Sequence, residues 1–493
     1  MKGPLPMRQQ VSGIIVLFGA SGDLAQRKLY PSLFHLFQQG WLSERFALIG
    51  TARRPWTDEH FHEIIVNSII AYNQDDSIRE EAQKFAKHFF YVSNDASKTD
   101  DYLLLKEKMV DLQKTYQTDK NFLYYFSIVP SLFEITSKNL KETGTTSLEG
   151  NHRVILEKPF GTDLASAISL NKALNISFHE NDIYRIDHYV GKETVLNIWA
   201  TRQFNPFLEA VWNNQYIDHF QITLSENLPV GTRGGYYDQT GALLDMFQNH
   251  ILQVLSFVGM DLPKDIKEIH QSKEAFLRQI PSFTLETTQK QIVRGQYSED
   301  LSNIYLAYRD IPEVDSSSTT ETFVAGKIEV NSPRWSGTPF YFRTGKALSS
   351  GKYTVVEAVL KDSSSGNSLP NRFTFLIHPK KGIEISMNQK ALKGHFAPQI
   401  IRLTPDQSLI GKQEPSESYE ILIYYAFLGN QMLFTTWEEL KEQWRIADSI
   451  KAAWAALPAP DFPNYAANTL GPDDAIALIE KDHRKWVSKR YNA

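Results

Sequence analysis

No cysteine occurs anywhere in the chain of 493 residues. That absence removes thiol nucleophiles, thiolate-bound zinc, iron–sulfur clusters and structural disulfides, and it is compatible with the reducing cytoplasm. An excess of one charge is lacking too. The 52 basic and 57 acidic residues leave a net −5, so the bulk charge does not attract nucleic acid, and an anionic ligand must be held by a local group of cations. Apolar runs long enough to cross a bilayer are also missing. The nearest imitation of a targeting segment, Gly13 to Ala20 behind Lys2 and Arg8, is too short and runs into the turn Gly22-Asp23-Leu24. No fixed-period repeat appears. With 42% apolar and 22% charged residues the composition is that of an ordinary globular chain, and the length suits two or three domains.

What is present falls into two textures. From residue 11 to about 190, short apolar runs (Gly13–Phe18, Phe46–Gly50, Phe89–Val92, Phe122–Ile128, Arg153–Leu156) alternate with helix-period segments such as Thr57–Tyr72 and Asp101–Tyr116, which predicts parallel βαβ units. Beyond residue 200 most apolar runs follow one another through polar turns: His219–Leu224, Gln291–Tyr297, Thr322–Val330, Thr338–Phe342, Tyr353–Leu360, Arg372–Ile377, Gly382–Met387 and Tyr419–Tyr424. Helices are expected at Ala242–Val258 and Trp437–Ala456, and a loop at Asp310–Glu321. The fold class predicted is α/β plus α+β. A Rossmann-like doubly wound sheet over residues 1–185 would precede a domain, residues 186–493, with a large, mainly antiparallel sheet covered by helices.

The first strand ends in Gly19-Ala20-Ser21-Gly22-Asp23-Leu24-Ala25 and a helical segment follows. This strand–turn–helix setting lets glycines bring the backbone close to a pyrophosphate at a helix N-terminus. The spacing Gly-x-x-Gly-x-x-Ala departs from Gly-x-Gly-x-x-Gly, so a plain glycine-rich turn stays open as an alternative. The second strand ends in Arg53 and Arg54 with no acid, which favours the 2′-phosphate of NADP over the free ribose of NAD, unless the two arginines are simply solvated.

Glu157-Lys158-Pro159-Phe160-Gly161 closes another strand and places Lys158 at the ligand crevice or, more blandly, in solvent. The densest polar cluster, Tyr184 to Glu193, precedes a helical run, Glu193–Thr201, whose N-terminus could bind an anion together with Lys192. In Ala242–Val258, Leu243, Phe247, Ile251, Val254, Leu255 and Val258 form an apolar stripe at about 100° per residue. His250 falls at the edge of that stripe, as a boundary histidine would, and Asp245 lies on the polar side, roughly 140° from it.

Taken together, Gly19 to Ala25 with Lys28-Leu29-Tyr30-Pro31, the Glu157–Gly161 turn, Arg185-Ile186-Asp187-His188-Tyr189-Val190-Gly191-Lys192 and Asp245-Met246-Phe247-Gln248-Asn249-His250 resemble the motifs of the glucose-6-phosphate dehydrogenase family, in its order and nearest its bacterial members. The resemblance implies oxidation of glucose 6-phosphate at C1 with hydride transfer to NADP, NAD being a further candidate, without a metal, as the first step of the oxidative pentose phosphate pathway. It further implies a cytoplasmic homodimer associating through the large sheet, with no membrane or nucleic-acid partner. By position, His250 matches the general base and Asp187 its carboxylate partner. His188, Tyr189 and Lys192 match the phosphate ligands, and Glu226, Asp245 and Lys346 the groups that hold the sugar. Lys158 matches a lysine touching both ligands, and Gly19 to Ala25, Arg53, Asp95 and Lys158 match the cofactor site.

Two positions depart from the family pattern. The basic residue that follows the Lys346 equivalent by five positions in bacterial relatives is here Gly351, with Lys352 one place later. Arg54 stands where a dual-specificity relative has a neutral amide, a change that should strengthen the preference for NADP. A dehydrogenase of another sugar or polyol, or a non-catalytic NADP-sensing module, are the alternative readings.

Overall fold

A computed structural model describes residues 9–300, 304–362, 370–390, 398–403, 418–458 and 460–487. The chain forms two compact units. One comprises Met1–Gly191, Asp265–His270 and Pro415–Lys441; the other comprises Lys192–Lys264, Gln271–Glu414 and Glu442–Ala493.

Apolar runs of the first unit become strands because both of their faces are covered by helices. They are β1 (Val11–Phe18), β2 (Leu42–Ala52), β3 (Phe89–Ser93), β4 (Asn121–Phe126), β5 (Asn151–Leu156) and β6 (Ile183–Ile186). All eight residues of β1 are buried. The order across the sheet is β6-β5-β4-β1-β2-β3, all parallel, with Phe434–Thr435 added antiparallel at the β6 edge. The direction of winding reverses between β1 and β4, and in open α/β sheets the carboxyl ends of the strands at that point face a ligand crevice. The first long helix after β2, Asp58–Asn73, is capped by Thr57, whose hydroxyl accepts the His60 N–H at 3.2 Å.

The second unit is built on an eight-stranded sheet. Its strands are β7 (Ile217–Ser225), β8 (Ile292–Gly295), β10 (Phe323–Ile328), β11 (Phe340–Gly345), β12 (Tyr353–Leu360), β13 (Arg372–His378), β14 (Gly382–Lys390) and β15 (Pro398–Leu403); the short β9 (Tyr297–Ser298) lies outside it. The order is β15-β14-β13-β12-β7-β11-β10-β8, antiparallel except for the β7–β11 pair. A long helix packs on this sheet. Phe247 stacks on Phe342 with ring centroids 4.5 Å apart, and the indole N–H groups of Trp212 and Trp335 donate to the carbonyls of Val258 and Gly259 at 2.8 and 2.7 Å.

One expected strand is a helix. Tyr419–Tyr424 lies within the helix Ser418–Leu428, which belongs to the first unit, where Glu420 to Phe427 are all buried. A short run that is apolar all round does not distinguish a buried strand from a buried helix, because periodicity is lost when every side is covered. The return of residues 415–441 to the first unit also makes its path discontinuous, whereas a single junction near residue 185 was expected. β6 and β15 were not anticipated.

Candidate active site

In the first unit the candidate cofactor residues lie past the carboxyl ends of β1, β2, β3 and β5. The turn after β1 is made of backbone. Gly19 has φ +88°, and a Cβ there would stand 2.1 Å from the Ser127 carbonyl oxygen, so only glycine fits. Gly19 and Ala20 donate to the Thr51 carbonyl at 2.8 and 3.2 Å, and Gly22 donates to Gly19 at 2.9 Å. Ala20 is buried and its carbonyl accepts the Tyr30 hydroxyl at 2.5 Å, while Ser21, Gly22 and Asp23 are more open. The chain is helical from Asp23 through Leu24 and passes through a π-helical segment, Ala25–Leu29. This leaves a helix N-terminus beside a close-packed glycine turn, the arrangement a pyrophosphate requires.

Arg53 and Arg54 are exposed beyond β2. The Arg54 guanidinium lies 5.9 Å from the Trp56 ring centre, and its carbonyl accepts the Tyr91 hydroxyl at 2.7 Å. Asp95 follows β3. Its carboxylate accepts the Ser97 N–H and hydroxyl at 3.1 and 2.8 Å, and these bonds hold its pKa below the usual range, with smaller help from Lys98 and Arg53. Lys158 follows β5 at a cis peptide bond with Pro159. Beside it, Glu157 accepts the Tyr125 hydroxyl at 2.5 Å, and burial raises the Glu157 carboxyl to about 7. This donor set fits a phosphorylated dinucleotide: backbone N–H groups at a helix start, two exposed arginines, and no acid at the end of β2.

The polar cluster that starts in β6 and runs past it divides in two. Arg185 is an inward structural group, ion-paired with Glu180 at 2.6 Å and bonded to Asn171. Asp187, 3% exposed, closes a turn: its Oδ1 accepts the Tyr189 N–H at 2.8 Å, and its carbonyl accepts those of Val190 and Gly191. His188 is half-buried against the Tyr189 ring, their centroids 5.2 Å apart. The chain enters the second unit at Lys192, the residue that precedes the helix Glu193–Phe204.

In the second unit three of the predicted residues meet. The Lys346 ammonium pairs with Glu226 and lies 3.6 Å from Asp245 Oδ2, with the Tyr237 ring 5.4 Å below it. Glu226 follows β7 and Lys346 follows β11, and these strands are neighbours with Ser225 opposite Gly345. Two carboxylates around one cation give acceptors for sugar hydroxyls and a fixed donor between them. Burial and the carboxylates of Asp245, Glu321 and Glu226 push the Tyr237 phenol far above its usual pKa, so it stays protonated. Lys352 is exposed just before β12.

The helix that carries Asp245 and His250 differs from the expected one. Residues Leu243–Ile251 are π-helical. With about 4.4 residues per turn, positions five apart lie within roughly 50° of each other instead of the 140° of an α-helix. Asp245, 8% exposed, and His250, 1% exposed, are therefore nearer to each other around the helix than the 140° expected, and Asp245 is buried with His250 and not on an open polar side. The start of this helix is fixed by Glu321, which sequence reasoning passed over. The Leu243 N–H donates to its carboxylate at 2.8 Å, and the Ala242 N–H to its carbonyl at 2.9 Å. Gly241 has φ +61°, and a Cβ there would stand 2.3 Å from Glu321 Oε1. Burial outweighs these hydrogen bonds and lifts the Glu321 carboxyl to about 7. A lone acid at the entry of an apolar strand was the only sequence signal for it.

Comparison with known proteins shows the family of the chain. The model for the glucose-6-phosphate dehydrogenase NAD-binding domain matches residues 16–197, and that for the C-terminal domain of the same family matches residues 199–487. Glucose-6-phosphate 1-dehydrogenase of Streptococcus pneumoniae is 43% identical over 483 residues, covering 96% of each chain. That of Bacillus subtilis is 38% identical, covering 97% of this chain and 99% of its own. A solved glucose-6-phosphate dehydrogenase in complex with its substrate glucose-6-phosphate superposes with a TM-score of 0.90 at 29% identity, covering 98% of this chain and all of that one.

Proposed function

We infer, from the premise that this chain belongs to the glucose-6-phosphate dehydrogenase family, that it oxidises D-glucose 6-phosphate at C1 to 6-phospho-D-glucono-1,5-lactone with NADP as the acceptor. It is an oxidoreductase acting on a CH–OH group, at the entry of the oxidative pentose phosphate pathway. The observation that carries the reading is the Glu226–Lys346–Asp245 group beside the helix of His250, in a chain that the two family models cover almost end to end.

Residue roles follow from the family motifs and from the chemistry of each side chain. NADP, when bound, supplies the hydride acceptor, held by the Gly19 to Ala25 turn, Arg53, Arg54, Asp95 and Lys158 in the first unit. In the second unit, Glu226, Asp245 and Lys346 hold the sugar. His250 takes the proton of the C1 hydroxyl as the C1–H bond gives up its electron pair, a task suited to a group whose ordinary pKa is about 6.5. Asp187 keeps that imidazole in the receptive tautomer. Lys158 and Lys346 orient the sugar, His188, Tyr189 and Lys192 hold the 6-phosphate, and Lys352 replaces, one position later, the second basic residue of the substrate site.

The working form is a cytoplasmic homodimer associating through the large sheet, with no nucleic-acid partner. Among the described residues no helix is long and apolar enough to cross a membrane.

NADPH absorbance in the presence of glucose 6-phosphate tests the reading. The purified chain should turn over this substrate, and His250→Asn should lower kcat by about 10²–10⁴-fold while both ligands still bind. Absence of NADPH formation in the wild type, or full turnover in the variant, overturns it.

A further inference from the structure

We propose that Lys381 is a substrate-binding residue which, with Lys192 and Lys352, forms the cradle for the 6-phosphate and takes the place of the basic residue absent at position 351. The proposal deepens the reading above and rests on it.

The sheet of the second unit sets the positions. Ser225, the last residue of β7, lies opposite Gly345 of β11 on one side and Tyr353 of β12 on the other, and Thr354 of β12 lies opposite His378 of β13. Glu226, Lys346, Lys352 and the turn after His378 therefore emerge at the same end of four neighbouring strands. The order is β11, β7, β12, β13. The sugar-holding pair Glu226–Lys346 belongs to the first two strands and the lysines to the next two. At about 4.8 Å per strand, β7 and β13 are roughly 10 Å apart, a separation on the scale of a hexose 6-phosphate.

The loop that brings Lys352 there is pinned. The Ser225 hydroxyl lies 2.8 Å from the Gly351 carbonyl and 2.7 Å from the Ser350 hydroxyl, and Gly351 turns the chain at φ +80°. A helix start is fastened to the same place: the Thr194 hydroxyl donates to the Ile377 carbonyl at 3.2 Å, so the helix Glu193–Phe204 begins over the end of β13 with Lys192 ahead of it. Its first N–H groups and dipole favour an anion.

His378 reports how these cations converge. Burial lowers its pKa first, and the charges of Lys192, Lys352 and Lys381 lower it further. Three ammonium groups from three separate segments thus act on one half-buried imidazole. Like charges gathered in this way repel one another, and a phosphate dianion among them converts repulsion into attraction. Lys381 is half-buried in the turn after β13, whereas its neighbour Lys380 is exposed.

The experiment uses the full-length chain. Lys381→Ala should raise KM for glucose 6-phosphate by about tenfold or more, the scale of a charge-assisted contact, with most of the loss in KM and little in kcat. The Ki of inorganic phosphate as a competitor should rise in parallel, and Lys381→Arg should recover most of both. Lys380→Ala serves as the control and should change KM less than about twofold. An unchanged KM in Lys381→Ala overturns the proposal, as does an equal loss with unphosphorylated glucose, which has no group for the cradle to hold. Should the wild type fail to oxidise glucose 6-phosphate at all, the functional reading falls. The cation cluster is then read separately, by thermal protection with inorganic phosphate: protection that Lys381→Ala abolishes upholds an anion site, and none overturns it.

Discussion

The two units build their candidate sites from different materials. In the first, the cofactor turn consists of backbone: Gly19, Ala20 and Gly22 bonded to Thr51 and to each other, next to a helix start. In the second, the candidate ligand groups are charged side chains delivered by neighbouring strand ends and, for Asp245, by a helix, with Lys346 between Glu226 and Asp245. A backbone site tolerates almost any side-chain chemistry but no added atom. A side-chain site tolerates added atoms at its rim but not the loss of a charge.

Gly19→Ala presses hardest on this contrast. The new Cβ would meet the Ser127 carbonyl at 2.1 Å with φ at +88°, so KM for NADP should rise roughly 100-fold and the melting temperature should fall. Gly22→Ala is the internal comparison. Its nearest neighbour is Gly19 O at 3.0 Å, and the loss should be an order of magnitude smaller. Equal losses measured by NADPH fluorescence titration would mean that the turn is not read at atomic contact.

Arg53→Ala asks whether the first unit also uses charge. The ratio of kcat/KM with NADP to that with NAD should fall by about tenfold or more. If the ratio is unchanged, the 2′-phosphate is not held by Arg53, and the backbone turn carries the cofactor alone.

Glu321→Gln bears on the stability of the second unit. The Glu321 carboxyl ionises near 7 in the folded chain against an ordinary value of 4.5, because it is buried beneath the Leu243 N–H with Arg294 and Lys451 too weak to offset the burial. The folded state therefore holds this proton more tightly than the unfolded state. Its contribution is fully present below about pH 4.5 and is lost as pH rises to about 7, by up to roughly 3 kcal/mol. A glutamine keeps an acceptor for the Leu243 N–H and cannot ionise, so the variant's melting temperature should decline less between these pH values. An unchanged pH dependence would remove Glu321 as its source.

The nucleotide half was legible because its signals are local. A glycine whose neighbours leave no room for a Cβ is visible as spacing after an apolar run, and Arg53 and Arg54 follow their strand directly. The second half was legible as a sheet but not as a site. Glu226 and Lys346 are 120 residues apart, and only strand pairing brings Ser225 opposite Gly345. The helix of His250 shows a subtler limit. Its apolar stripe was correct, yet 100° per residue set Asp245 and His250 too far apart around the helix, because sequence periodicity does not reveal where a helix widens to the i→i+5 pattern. Tyr419–Tyr424 failed for a related reason, since a helix buried on all sides carries no period.

What the sequence by itself determined is the chemistry available: no thiol, a glycine turn after the first strand, paired arginines, a His-bearing helix, and family motifs in order. What only the tertiary structure decided is which charges act together. Glu226, Lys346 and Asp245 form one group, Lys192, Lys352 and Lys381 act on His378, and Glu321 fixes the start of the helix that carries Asp245 and His250. The physical reason is that close packing and backbone turns are imposed within a few residues. A charged site depends on distances between strand ends, and those are set by sheet register over a hundred residues or more.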